Sequence, residues 1–288
     1  MSKNFTVTEF FKRFPDDDSC LEHLMLVRHG ESMDCPKCSK HGKFSRIKKL
    51  PAYQCSWCGH HIHPKVGTPF EKSRTPLQKW FYAMYLFTTT RHGVPAKELQ
   101  RQLGVTYKCA WRMGHEIRKY MGSTDGDDEL SGHVEVDEAY IGGKDNIVGR
   151  PTDKNGSNKV VVMGMLERGG DVITRIIPSA NRSNLIPEII NNIETGSTVS
   201  TDELRAYQVM TKYGYEHGFV CHYKKEWRNG VHCTNGIEGF WSHIKRSILG
   251  THIHVSRKHM SKYLGEFEYR YNMRDKPEIM FNDLLLSF

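Results

Sequence analysis

Over the first thirty residues, apolar positions recur at helical spacing in two blocks. Phe10, Phe11 and Phe14 form the first, with Thr6 or Thr8 as its cap. Pro15 ends it, and "DDDS" opens a second block carrying Leu21, Leu24, Met25 and Val27. The period then shortens, because "KFSRIKKLPAYQC" alternates and reads as a hairpin. From Ser73 the helical period returns. "SRTPLQKWFYAMYLFTTT" predicts one helix, and "VPAKELQRQLGVTYKCAWRMGHEIRKYM" predicts two helices around a turn at Gly104-Val105-Thr106. Leu99, Leu103, Val105, Ala110, Met113 and Ile117 fall where a helix-turn-helix buries its contact. Lys108, Arg112, His115, Arg118 and Lys119 are left on the outer face, where the second helix of such a motif meets DNA. An ordinary helical hairpin with a solvated basic face carries the same pattern.

"MGSTDGDDELSG" is polar, acidic and glycine-containing, and it reads as a linker. Beyond it the texture is that of strands. "HVEVDEAYIGG" alternates, "KVVVMGMLERGG" is continuously apolar, and "DVITRIIPSA" follows a Gly-Gly turn, so three strands form an antiparallel meander. The intervening "KDNIVGRPTDKNGSNK" reads as a long basic mobile loop. "NRSNLIPEIINNIETG" predicts a capped helix, "STVSTDE" and "GFVCHYK" predict strands, and "VSRKHMSKYLGEFEYRYNMR" and "KPEIMFNDLLLSF" predict late helices.

The second half thus runs strand, strand, strand, helix, strand, strand, helix. That is the element order of a ribonuclease H-like α/β domain with a mixed sheet, in which the first and fourth strands lie side by side. Asp137 sits on the first strand and Asp202 ends the fourth. A third acid is expected from the following helix. In "NGIEGFWSHIKRS", Ile237, Phe240, Trp241, Ile244 and Ile248 form the buried stripe, which assigns both aromatics to the core. Glu238 and Lys245 border that stripe, about 20° apart around the helix. Two further readings of these acids stay open. Asn235 and Glu238 have the spacing of a capping box. Glu135, on the same strand face as Asp137, could stand in as a ligand, whereas Glu138 and Glu203 are expected on the wrong side or in turns.

The cysteines add a second centre. Four of the eight form "CPKC" (Cys35, Cys38) and "CSWC" (Cys55, Cys58), sixteen residues apart, a strong zinc-ribbon spacing. Such a closed site stabilises a small fold; His60, His61 and His63 read as bystanders. Cys221-His222 and His232-Cys233 match no zinc pattern, but His222 or His232 could lie near the acids. Lys and Arg outnumber Asp and Glu by 41 to 33, for a net charge of +8. This suits a polyanion, because neutralised phosphates release counterions. No apolar run reaches a membrane span and no signal-peptide core is present, so the expectation is a cytoplasmic protein without a membrane partner.

"HVEVDEAYIGGK", "STDELRAY" and "HCTNGIEGFWSHIKRSILGTHIHVSRKHMSKYLGEFEYRYNMR" resemble the bacterial insertion-sequence transposases of ISXO type, which have a DDE catalytic domain behind a zinc ribbon. "FFKRFPDDDSC", "YQCSWC" and "TPLQKWFYAMYLF" extend the likeness over roughly Phe10 to Arg274. The resemblance implies that Asp137, Asp202 and Glu238 bind Mg²⁺ (or Mn²⁺), with Lys245 as the basic residue after the glutamate. Some members carry an asparagine in the third position, which keeps Asn235 as an alternative ligand. It also implies strand cleavage and strand transfer on double-stranded DNA, both element ends and target. Lys245 and Arg246 would contact phosphate, and chains would associate during synapsis. A DNA-binding regulator with a dead nuclease-like domain is the competing reading, as is a nuclease without strand transfer.

The predicted organisation is α+β and multidomain. It comprises N-terminal helices (1–30), a ribbon with structural Zn²⁺ (31–68), a helix-turn-helix region (69–121), a linker (122–131), the catalytic domain (132–274) and a C-terminal tail helix (275–288).

Overall fold

The structure, a computed structural model, describes residues 5–124, 128–142 and 159–287. The chain divides into two compact units, one of residues 1–120 with 276–288 and one of residues 121–275. The expected basic loop after the first strand of the sheet domain lies outside the described residues, apart from its last residue.

In the first unit, helix α1 (Val7–Arg13) is capped by Thr6 through a reciprocal box with Glu9, and α2 (Asp17–His29) by Asp16. Each cap satisfies N–H groups that the first helical turn leaves free. Short strands β1 (Met33–Asp34) and β2 (His41–Gly42) pair with each other. β3 (Phe44–Ile47), β4 (Ala52–Cys55) and β5 (His61–Ile62) form a second antiparallel sheet, its first pair the expected hairpin. Helices α3 (Leu77–Thr89), α4 (Ala96–Leu103) and α5 (Tyr107–Thr124) follow, and Gly104 turns the chain between α4 and α5 with a left-handed φ of 59°.

Two sequence expectations change here. The C-terminal helix α9 (Pro277–Leu286) is not a free tail. Its Phe281 packs against Phe10, Phe14 and Tyr85 in an aromatic core, because a helix with this much apolar surface must cover it. The expected linker is shortened from both sides. Helix α5 continues to Thr124, and Leu130 is buried and bridged to Ile193 in the second unit.

The second unit contains β6 (His133–Ile141), β7 (Val160–Glu167), β8 (Val172–Ile177), α6 (Arg182–Asn192), β9 (Thr198–Thr201), β10 (Glu216–Phe219), α7 (Asn235–Ser247) and α8 (Met260–Asn272). The sheet order is β10-β9-β6-β7-β8, with β6/β7 and β7/β8 antiparallel and β6/β9 and β9/β10 parallel. The expected mixed sheet is present, with first and fourth strands adjacent. Residues alternate across β6. Val134 and Val136 join a core with α6, while Ala139 and Ile141 join one with α7 and α8. Both faces are covered, so β7 reads as a continuous apolar run rather than an alternating one.

Three details of this unit differ from the periodicity. β10 lies earlier than "GFVCHYK" suggests. A 3-10 helix over Arg205–Tyr213 buries Tyr207 and Met210 where no element was expected, and α7 runs on into a π-helical turn at Ile248–His252. Short irregular helices lack a sustained period and leave little trace in sequence.

Candidate active site

The site is built around the parallel pairing of β6 and β9. That pairing runs His133↔Thr198, Val134↔Val199 and Glu135↔Ser200, and Asp137 and Asp202 each follow two residues after the last pair. They therefore occupy matching positions where β6 and β9 diverge, at the carboxyl end of β9. Ligands of open α/β sheets bind at such strand ends.

Helix α7 carries Glu238, the expected third acid, and two glycines let the helix approach the sheet. Gly164 pairs with Asp137 across β6/β7; a Cβ there would lie 2.4 Å from the Trp241 ring, so the missing side chain admits the helix to the sheet. Gly236, in the first turn of α7, would place a Cβ 2.8 Å from Glu135 Oε2. With glycine there, the N–H groups of Gly236 and Ile237 donate to that oxygen at 2.7 and 3.1 Å. Ile237, Phe240, Trp241, Ile244 and Ile248 are all buried, as the helical wheel predicts, and both aromatics belong to the core.

Glu135 is thus neither a spare ligand nor free to become one. It is buried on the same strand face as Asp137, and it caps α7 across the structure. This overturns the local capping box: Asn235 is the exposed first helical residue, and Thr234 precedes it without a side-chain cap bond. The free N–H groups of α7 are taken by a carboxylate distant in sequence, which leaves Glu238 available. Arg168 completes the frame. Its Nε donates to Glu135 Oε1 at 2.8 Å, its Nη1 to the Val231 carbonyl at 2.8 Å and its Nη2 to the Cys233 carbonyl at 3.2 Å. Removing Arg168 leaves a buried carboxylate short of its cation, a change that costs about 3–5 kcal/mol in fully buried pairs. Arg168 keeps some solvent access, so Arg168→Ala is expected to lower unfolding free energy by roughly 2–3 kcal/mol in urea denaturation.

The Glu238 carboxylate accepts from Thr234 Oγ1 at 2.7 Å and lies 3.1 Å from His222 Nε2. His222 thus contacts one of the candidate acids. His232 does not: its Nδ1 lies 2.9 Å from Ser200 Oγ, which is itself 2.7 Å from His133 Nε2. The acids adjoining the favoured pair point elsewhere. Glu138 accepts from Tyr207 on the opposite face at 2.6 Å, and Glu203 accepts from the His222 N–H at 2.9 Å.

The acids act on one another electrostatically. Burial first, then the charges of Glu138, Asp202 and Glu238, push the Asp137 carboxyl up to about 7. Burial also raises Asp202; Glu203 and Glu238 push the same way, against the Leu204 N–H and His222. A divalent cation would relieve this repulsion, and an all-oxygen donor set suits a hard ion. The three carboxylates are not drawn as tightly as the thiolates described next.

Cys35, Cys38, Cys55 and Cys58 bring their sulfurs within 4.8 Å of one another, the only such metal-ligand group among the described residues. Cys35 and Cys58 sulfurs are 3.6 Å apart and those of Cys38 and Cys55 3.9 Å. Tetrahedral Zn–S bonds of about 2.3 Å place sulfurs roughly 3.8 Å apart, so the site fits zinc.

The basic residues expected on the outer face of the helical pair α4/α5 divide. Lys108, Arg112 and Lys119 are exposed on α5, as are Lys245 and Arg246 on α7. His115 and Arg118 are buried, against expectation. Arg118 donates to the Val94 carbonyl at 3.0 Å and lies over Phe87, while His115 packs on Trp111. Around α5, His115 and Arg118 lie about 160° and 100° from Ile117 at 3.6 residues per turn, so the fold covers a wider arc than the apolar stripe marks, and a long guanidinium side chain can satisfy itself inside where the helical wheel places it outside. No helix among the described residues is long and apolar enough to cross a membrane.

The sequence matches two known families: the ISXO2-like transposase domain over residues 129–272, and the transposase zinc-ribbon domain over residues 15–61. A protein of transposable element ISH50 from Halobacterium salinarum is 26% identical over 92% of this chain and 94% of its own length. A transposase-like protein of Haemophilus influenzae is 30% identical over 35% of this chain and 80% of its own. Among solved structures, a pre-cleavage Mos1 transpososome aligns with 67% of this chain and 73% of its own, at 12% identity and a TM-score of 0.30, too low to define a shared fold. The first family match covers half of the chain and contains Asp137, Asp202 and Glu238, and on that ground the protein belongs to the ISXO2-like transposases.

Proposed function

We propose that this transposase binds the ends of its element and performs Mg²⁺- or Mn²⁺-dependent strand cleavage followed by strand transfer. Asp137, Asp202 and Glu238 would hold the ions. The observation that carries this reading is the register: two aspartates at matching positions of parallel strands, under a helix whose start is locked by Glu135. Two divalent ions bound there would lower the pKa of an attacking water or 3′-hydroxyl and stabilise the leaving oxygen.

The chain's own part is to position and to neutralise. Asp137 would serve both ions, and Asp202 and Glu238 one each. His222 and Thr234 would hold the Glu238 carboxylate in place. Lys245, two turns along α7 and about 10 Å from Glu238, would hold a DNA phosphate, with Arg246 beside it. Exposed Lys108, Arg112 and Lys119, together with the zinc ribbon, would engage the terminal repeats. Two or more chains would assemble when the two ends are brought together.

Incubation with DNA carrying the element ends and Mg²⁺ tests the third ligand. Glu238→Ala is expected to lower cleavage by at least about 10²-fold, the loss typical of one catalytic electrostatic contact. Asn235→Ala is expected to stay within about threefold, since that side chain is not needed to cap α7. Retained cleavage in Glu238→Ala with loss in Asn235→Ala would move the ligand to Asn235.

A further inference from the structure

Between β10 and α7, beside the three acids, runs a loop whose exposed side chains do not suit water alone. Within "HYKKEWR", residues 222–228, Tyr223 is 92% exposed and Trp227 57% exposed, and Lys224, Lys225 and Arg228 are exposed as well. Single exposed aromatics are ordinary on protein surfaces. Two within five residues, interleaved with three bases, are a combination of flat apolar rings and cationic heads.

The loop is held in a defined shape. The N–H groups of His222 and Tyr223 donate to the Glu203 carboxylate at 2.9 and 3.4 Å, beside Asp202 in sequence. The N–H groups of Lys224 and Glu226 return to the Cys221 carbonyl, and Lys225 takes a left-handed φ of 57°. A lysine in that conformation is uncommon and persists where its surroundings demand it. The Trp227 ring centroid is 5.1 Å from that of His222, whose Nε2 is 3.1 Å from Glu238 Oε1. Whatever the loop holds is therefore close to where ions held by the acids would bind the scissile phosphate.

We propose that this loop binds unpaired nucleotides flanking the scissile phosphate, with Tyr223 and Trp227 stacking on bases and Lys224, Lys225 and Arg228 holding the adjoining phosphates. Bases inside a duplex already stack on each other and offer these rings nothing; unpaired bases present a free π face, and aromatic side chains in a basic groove are how proteins bind single strands. The inference rests on the reading of the acids as a DNA-cleaving site and adds a preference of that site for opened ends.

Binding of fluorescent oligonucleotides to the full chain, without divalent metal, tests the proposal apart from catalysis. One probe is a fully paired duplex. The other has the same length with five unpaired nucleotides in one flank, one of them 2-aminopurine. Wild type is expected to prefer the unpaired flank and to quench the 2-aminopurine. Tyr223→Ala and Trp227→Ala are each expected to reduce that preference by about 5- to 100-fold, while Tyr223→Phe and Trp227→Phe restore it. Equal affinity of wild type for both probes, or unchanged quenching in the alanine variants, overturns the proposal. Loss of self-association in light scattering with the DNA preference intact overturns it too, and makes the loop a protein contact. Failure of wild type to bind either probe strikes the DNA-transposition reading itself, not the stacking role alone.

Discussion

Asp137→Asn is expected to abolish cleavage, by about 10³-fold or more, and at the same time to make the metal-free protein more stable. The two effects share one cause. Asp137 lies beneath α7 with Glu138, Asp202 and Glu238 acting on it, and its carboxyl is pushed up to about 7 from an ordinary 3.8. The folded protein therefore binds that proton more tightly than the unfolded chain does. Between about pH 4 and 7 the unfolded state is the first to lose it, so stability falls as pH rises through this window and stays lowered above it. Asparagine keeps the shape and removes the charge. Thermal melts at pH 8 in EDTA should show Asp137→Asn melting several degrees above wild type, with the gap closing toward pH 4. Added Mg²⁺ should raise the wild-type melting point and leave the variant unmoved, because binding to the folded form alone stabilises it. A variant that melts no higher than wild type at pH 8 would mean that the acids are not crowded in the way described.

Zinc removal is the second large effect. Structural zinc contributes about 10–16 kcal/mol of apparent binding free energy in small zinc folds, and such folds come apart without it. The ribbon here has little else: β1 and β2 are two residues each, and the longest ribbon strands are four. Cys38→Ser is expected to release one zinc per chain, measured by a colorimetric chelator, and to expose the segment around residues 31–68 to proteolysis. The second unit has its own two apolar cores, so it should keep its melting transition. DNA-end binding should fall with the ribbon. Loss of both transitions together would show that the sheet domain depends on the ribbon for its stability.

Reading order and period carried far for some elements and failed for others. The helices with long apolar stripes, α3, α5, α7 and α8, are legible because a 3.6-residue period persists through each of them. The cysteine pairs are legible because tetrahedral coordination demands a particular spacing. His115 and Arg118 are buried where the helical wheel predicts exposure, because a wheel gives the face a residue is on but not how wide a face the fold covers. The role of Glu135 was illegible for a different reason. Its partners, Gly236, Ile237 and Arg168, are 101, 102 and 33 residues away. The local match of Asn235 to Glu238 looked like the cap that Glu135 in fact provides.

What the amino-acid sequence by itself determined is the order of the main helices and strands, the zinc-ribbon cysteines, and the candidacy of Asp137, Asp202 and Glu238. Each follows from short-range regularities: side-chain period, turn residues, ligand spacing and family likeness. Only the tertiary structure decided that Glu135 braces α7 and that Glu238 is spared that task. Parallel pairing set Asp137 and Asp202 at one level, Gly164 and Gly236 let α7 close on the sheet, and Glu135 with Arg168 pinned its first turn. Those are long-range choices, made by close packing and by buried charges seeking partners, and neither leaves a mark in any local stretch of the chain.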